Sequence, residues 1–318
     1  MQEILDVVVP IFGLMAVGYL VARFKLLSEA TGDALSRYVF VVAVPVLIFR
    51  SLAGASFAGA NPFWLWGCYF GSVALVWTAG TMIARRLLAA DRRKGVVAGI
   101  SSAFKNTVFV AVPLLQRAYG EAGLEPLLLL ISVHLPLMMI ASTLLMERAA
   151  SLDAREAGTG AASPSMKAVL SRVARNLSTN AIVAGIVAGV LWRLTGLGIS
   201  GPAGEVVTLL GSTAGPVALF SLGMSLTRYG LRGDLRAAAL TSALSLVVLP
   251  ALVWGVGQFA LPPHWLKGAV MTAACPAGVN AYLLAAHFKS GERLASTSIL
   301  VSTLASVVTL SVWLTLVG

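Results

Sequence analysis

A lysine, an asparagine and a threonine stand side by side inside a stretch apolar enough to cross a lipid bilayer. Lys105, Asn106 and Thr107 lie near the middle of the segment from Gly95 to Tyr119, and Pro113 follows them. A lysine at the centre of a spanning helix costs about 2.5–3.5 kcal/mol on insertion scales, so it persists where it lines a cavity or meets a partner. A second stretch, from Lys267 to Lys289, has the same character in Thr272-Ala-Ala-Cys275-Pro276-Ala-Gly278-Val-Asn280. Both read as helices interrupted at mid-membrane. An interrupted helix leaves unpaired N–H groups at the start of its second half, and that end carries about half a positive charge. Two such ends meeting at the midplane form an anion site. Asn106 and Asn280 are candidate donors to a carboxylate, Thr107 adds a hydroxyl, Lys105 a full positive charge, and Tyr282 a further lining group. Pro113, Pro276 and Gly278 are the candidate helix-breaking residues. Lys105 and His134, the latter in the middle of the next span, are the candidate proton carriers.

Other chemistries find less support. Paired intramembrane aspartates, a Ser/His arrangement, an HExxH helix and a P-loop are all missing from the sequence, so the expectation is a chain that is not an enzyme and carries no cofactor. Cys68 and Cys275 both fall in apolar spans, without a CxxC or Cys/His cluster, and read as packing residues; no metal site is expected. All 13 acidic residues fall in loops or near span ends, which argues against a sodium site built from side-chain carboxylates.

Ten apolar spans hold these residues, at about 4–22, 34–53, 62–88, 95–119, 124–147, 177–195, 203–228, 235–260, 265–288 and 294–317. With 58% hydrophobic and 11% charged residues the chain is an integral membrane protein by composition, and its net charge of +10 is no nucleic-acid signal. Eighteen basic residues sit in loops after odd-numbered spans and four after even-numbered ones, with Lys105 left inside a span. Cytoplasmic loops carry such an excess, so both termini are expected outside a cell membrane, the inner one in a bacterium. The start, Met1-Gln-Glu-Ile-Leu-Asp6, lacks the positive region of a signal peptide, so the first span is expected to be retained.

The one long loop, 148–176, contains Gly158-Thr-Gly-Ala-Ala-Ser-Pro164 and reads as a cytoplasmic linker; Met166 to Asn176 reads as a short amphipathic helix on the inner leaflet or a charged lead-in to span six. It divides the chain into residues 1–147 and 177–318, five spans each. An odd number per half means that repeats, if present, are inverted. The interrupted spans are the fourth of each half.

The segments Asn106-Thr-Val-Phe-Val-Ala-Val-Pro113, Pro216-Val-Ala-Leu-Phe-Ser-Leu-Gly223 and Cys275-Pro-Ala-Gly-Val-Asn280-Ala-Tyr282 resemble spans four, seven and nine of the auxin efflux carrier family, which includes the plant PIN proteins and bacterial relatives. The resemblance covers nearly the whole chain. It implies an all-α fold of two inverted five-helix repeats, shared with the bile acid sodium symporters, in which spans 4 and 9 cross. Spans 1, 2, 6 and 7 would form a scaffold, and spans 3–5 and 8–10 a moving transport domain. It further implies an elevator-like carrier of small organic anions such as carboxylates, often a homodimer through the scaffold. Plant members place a proline just before the span-four Asn where this chain has Lys105, which puts auxin itself in doubt as substrate. A proton- or sodium-coupled symporter and a non-transporting sensor or channel are the alternatives.

Overall fold

The computed structural model describes residues 2–54, 61–156, 171, 175, 178–231 and 235–317, with side chains from residue 6 onward. Among them every regular element is helical. The first half comprises α1 (Gln2–Arg23), α2 (Glu29–Tyr38), α3 (Val44–Gly54), α4 (Pro62–Leu87), α5 (Arg92–Ala103) and α6 (Val112–Glu156). The second comprises α7 (Ala181–Leu194), α8 (Gly201–Ser212), α9 (Ala214–Leu226), α10 (Leu235–Ala243), α11 (Leu249–Gly257), α12 (Pro263–Ala274), α13 (Asn280–His287) and α14 (Glu292–Val317). Seven helical stretches among the described residues are long and apolar enough to cross a membrane, and α7 is a shorter apolar helix of 14 residues. Large apolar side chains such as Leu75, Leu191 and Val308 are exposed on the outer faces, where lipid rather than water is the natural solvent.

Helix starts follow the sequence. Asn61 accepts from the Phe63 amide at 2.9 Å with Pro62 just inside α4, Asp91 accepts from the Lys94 amide at 2.8 Å, and Asn180 accepts from the Ile182 amide at 2.9 Å. Each side chain takes up an amide that the helix cannot pair internally.

Three spans widen into a π turn, at Val39–Ala43, Thr107–Ala111 and Leu244–Val248, and each turn ends two residues before a proline: Pro45, Pro113 and Pro250. A proline lacks the amide that would bond four residues back, and its ring crowds that carbonyl; a wider turn removes the clash. The carbonyl orphaned by Pro250 is that of Leu246, and the Trp313 indole donates to it at 2.9 Å.

Spans four and five part where expected: α6 is two helices joined across a kink at Gly120, whose φ of +64° and ψ of −150° are non-helical and which only a glycine adopts cheaply. One expectation shifts: the second of these helices continues to Glu156, so residues 148–156 of the expected linker are helical. Arg92 binds Glu156 and Asp153, and Arg93 binds Asp153 at 3.0 Å, which fastens this end of α6 to the start of α5. The glycine-rich part of the linker lies outside the described residues, as does the expected amphipathic segment apart from Ser171 and Arg175.

The helices pack in two sets. In one, α1 and α2 lie against α9, and α3 against α7 and α8; in the other, α4 packs on α5, α12 on α6 and α11, and α10 on α14. The α1–α9 crossing is closest: a Cβ on Gly18 would fall 2.1 Å from the Phe220 carbonyl oxygen, and one on Gly223 2.0 Å from that of Met15. Only glycines let two backbones approach this near, the usual device for helix association in lipid.

Candidate functional site

Both interrupted spans are broken, and the breaks meet. The first half-helix α5 ends at Ala103; Phe104 turns extended, with φ −85° and ψ 104°, and helix resumes at Thr107. In the other span α12 ends at Ala274, Cys275 is extended with φ −61° and ψ 153°, and α13 begins at Asn280. The two extended pieces pair as an antiparallel bridge between Lys105 and Ala277. The Gly278 amide donates to the Phe104 carbonyl at 2.7 Å, and the Asn106 amide donates to the Pro276 carbonyl at 3.0 Å. The Ala277 amide donates to Ser302 Oγ of α14 at 3.2 Å. Backbone groups released by the breaks thus bond to each other and to one serine, which a low-dielectric interior requires. Gly278 is needed for closeness: a Cβ there would stand 2.9 Å from the Lys105 carbonyl oxygen.

What stays open is the start of each second half-helix. Among the described residues no acceptor meets the amides of Thr107, Val108, Val279 or Asn280. Asn106 caps its own helix by accepting from the Phe109 amide at 3.3 Å, while its Nδ2 has no partner although the residue is only 4% exposed. A buried donor left unpaired costs about 1–3 kcal/mol, so its persistence requires an explanation.

Lys105 is 1% exposed. Its ammonium donates to the Ser245 carbonyl at 2.7 Å and to Ser245 Oγ, in the π turn between α10 and α11. A wide turn disturbs the regular ladder of carbonyls, and Lys105 takes up one of them. The charge is held by neutral oxygens rather than by a carboxylate.

These groups border a cavity of about 390 Å³, within the range of small-molecule sites. Lys105, Asn106, Thr107, Gly278 and Asn280 line it at the crossing, and α6 contributes His134. The start of α7, from Asn180, and Phe40 of the first π turn close it with largely apolar surface. The described lining contains no Asp or Glu. His134 is 1% exposed, and neither ring nitrogen has a partner among the described residues.

The sequence of residues 3–314 matches the family described as "Membrane transport protein". The chain belongs to this family, that of the auxin efflux carriers. Two relatives extend over nearly the full length. A Rhizobium meliloti protein named "Putative malonate transporter" is 26% identical, covering 98% of this chain and 95% of its own. An "Uncharacterized transporter" of Methanothermobacter thermautotrophicus is also 26% identical, covering 97% and 96%. Family and relatives alike indicate a membrane transporter rather than an enzyme.

For this auxin efflux carrier family member, the structure gathers most of the residues singled out by sequence, but not all. Lys105, Asn106, Thr107, Asn280 and His134 share one cavity. Pro276 and Gly278 lie in the second break itself. Pro113 lies seven residues beyond the first break, in the opening turn of α6, where it widens the helix and packs near Gly215. The first break is instead opened by Phe104, Lys105 and Asn106, none of them a proline or glycine. Tyr282 stands outside the cavity lining, its ring edge-on to Tyr229 at 5.6 Å. Cys68 and Cys275 are buried free thiols.

Ser245 and Ser302, which hold Lys105 and the second break, are not evident from sequence. A signal exists for each. Pro250 marks the π turn that presents Ser245, and Ser298, Ser302 and Ser306 recur every fourth residue on one buried face of α14.

Proposed function

We propose that this protein is a secondary carrier of small organic anions, with the carboxylate held where the two broken helices cross. The observation that carries the proposal is the convergence of two half-helix starts with unpartnered amides and a buried unpartnered Asn106 amide on one cavity without a described acidic residue, with Lys105 in its lining and the ammonium just behind at Ser245. Each helix start contributes about half a positive charge, and Lys105 a whole one. An anion would meet preset donors with little reorganisation. The malonate in the name of the Rhizobium relative, a short dicarboxylate, supports the same substrate class. Asn106, Thr107, Asn280 and Lys105 would form the site, with Pro276 and Gly278 shaping it; a role for Tyr282 would require it to turn from Tyr229.

Ten spans in two inverted repeats are the arrangement that best accommodates these helices. The α1–α9 contact of spans one and seven is matched by the α7–α3 contact of spans six and two, as inversion of the halves demands. On this reading α1–α3 and α7–α9 are the scaffold, and α4–α6 with α10–α14 the moving body. Arg50 and Ser51 of α3 bind Glu121, Ser51 at 2.8 Å, and Arg117 donates to the Asp6 carbonyl of α1. These clasps join the two bodies at the end of the molecule opposite the linker. With the basic loops in the cytoplasm, the cavity beside Asn180 opens inward, and an elevator-like motion would have to release the clasps.

The test is uptake of labelled carboxylates into liposomes containing the purified protein. Wild type is expected to move at least one short carboxylate. Lys105→Met is expected to fold, because an unbranched apolar chain of similar length fills the same space, and to weaken anion affinity about tenfold. Wild-type liposomes that pass no anion under any gradient, or unaltered affinity in Lys105→Met, would remove the crossing from the mechanism.

A further inference from the structure

His134 is the buried polar side chain of the cavity that the crossing does not use. It lies on the part of α6 beyond the Gly120 kink, on neither half-helix of a break, with Ile131 and Leu135 beside it in the lining. Three rings fix its plane: Phe104 edge-on at 5.2 Å, Tyr69 edge-on at 5.9 Å and Phe70 nearly parallel at 6.1 Å. The imidazole therefore has little freedom to seek a protein acceptor elsewhere, and both nitrogens remain unpartnered among the described residues. The Tyr69 hydroxyl next to it is unpartnered too. Two other polar lining groups are engaged: Asn180 caps α7, and the Thr179 hydroxyl donates to the Arg175 carbonyl at 3.1 Å. Asn106 and His134 are thus the two lining side chains whose fully buried polar atoms await a partner, and they stand on different helices that border one cavity.

We propose that His134 is a second ligand contact, so that the site selects short acids bearing a second oxygen function, a dicarboxylate or hydroxy acid, over the plain monocarboxylate of the same length. The proposal rests on the anion-carrier reading above. One carboxylate takes the crossing, with Asn106 and the half-helix amides. A second carboxylate accepts from an imidazole N–H; a hydroxyl either accepts from that N–H or donates to a ring nitrogen that carries no proton. A ligand without that second function leaves the buried imidazole unpaired, which is how polar sites reject an analogue lacking one hydroxyl.

Binding of malonate, lactate and propionate to the purified full-length protein tests this, since lactate and propionate have equal charge and carbon number and differ by one hydroxyl. Wild type is expected to hold malonate and lactate about tenfold or more tighter than propionate. In His134→Leu the affinities for malonate and lactate are expected to fall to the level of propionate, with propionate within about twofold of wild type. His134→Gln, which keeps a donor and an acceptor in the same place, is expected to recover part of the preference and serves where the leucine variant does not fold. Equal loss for all three acids, or an unchanged preference in both variants, would make His134 a packing residue and overturn the proposal. A wild-type protein that binds propionate as well as lactate also overturns it, while leaving the anion site standing. Failure to bind any of the acids instead removes the carrier reading, and this inference with it.

Discussion

The two broken spans reach the same backbone geometry by opposite chemistry. In the first, the half-helix α5 starts at a capping aspartate, Asp91, breaks at Phe104-Lys105-Asn106, and restarts with Asn106 capping the new helix. In the second, α12 starts with Pro263 and no side-chain cap, breaks at Cys275-Pro276-Ala277-Gly278, and restarts at Val279 without a side-chain cap. One break is held open by side chains that hydrogen-bond, the other by residues that restrict or free the backbone. On the proposed carrier reading, function would follow the same division. The first break lines the cavity with Lys105, the buried Asn106 amide and Thr107; the second lines it with Asn280 and leaves the room that Gly278 gives. Recognition would then be concentrated in one break and accommodation in the other.

The sharpest way to break this comparison is to give the second break a side chain. Gly278→Val places a Cβ 2.9 Å from one backbone oxygen and 3.1 Å from a backbone carbon of Lys105, neither of which can swing aside. Overpacking of this kind costs about 1–3 kcal/mol, and here it also separates the bridge. The largest effect of the series is expected: a clear drop in the melting temperature in detergent and loss of anion binding. Lys105→Met, at the facing position of the other break, strands the Ser245 carbonyl but also removes a buried charge, and is expected to lower the melting temperature by less than the valine does. If the valine variant melted with wild type and bound normally, room at the crossing would not be what Gly278 provides.

Asn106 and Asn280 then sharpen it. Asn106→Ala removes a cap, worth about 0.5–2 kcal/mol, and a buried donor, so both stability and affinity should fall, the affinity by about tenfold or more. Asn280 is half-buried and heads α13 without capping it. Asn280→Ala is expected to weaken binding by a smaller factor and leave the melting temperature within about one degree, since surface-like losses stay near ±0.5 kcal/mol. Thermal unfolding and binding measured on the same preparations check both. Equal destabilisation by the two alanines would erase the distinction between a capped and an uncapped break.

Much of this is legible in the residues, because membrane physics makes polar groups conspicuous. Lys105, Asn106 and Thr107 stand out only because everything around them is apolar, and Pro276 with Gly278 announces the second break directly. The first break is harder to place. Pro113 draws it downstream, since a proline is the familiar helix breaker; yet in a helix a proline is accommodated by a π turn, and the true break falls where the asparagine can cap and Lys105 can reach Ser245. The partners are hidden for a physical reason: Ser245 lies 140 residues from Lys105, and Ser302 25 residues from Ala277, so no local spacing reports them. Tyr282 misleads because it follows Asn280 by two residues, and on a helix residues two apart do not share a face. His134 is visible as a buried histidine, but its unpartnered state belongs to packing that only coordinates reveal.

The smallest expected effect lies at the remote end of the first broken span and extends the comparison to its start. Asp91 accepts from the Lys94 amide at 2.8 Å and pairs with the Lys94 ammonium at 3.1 Å. Burial pushes its carboxyl up, but the Lys94 amide, the Lys94 ammonium and the Arg93 charge together pull it further down, to below the usual carboxylate range. A carboxyl with a lowered folded pKa stabilises the fold fully above its unfolded value, near about 3.9, and that contribution is lost as pH falls through the folded value. Asp91→Asn keeps an oxygen to cap α5 but has no charge to titrate. Near neutral pH the variant should melt slightly below wild type, and the gap should close on acidification below about pH 4, where wild type loses its charge as well. The group is largely open to solvent, so screening keeps the gap small. The corresponding start of α12, with Pro262 in the capping place, should give no such acid-dependent difference when Pro262→Ala is compared with wild type. A gap for Asp91→Asn that persisted unchanged to about pH 3, below the unfolded value, would mean that the side chain acts by shape alone, and that the first broken span differs from the second only at its centre.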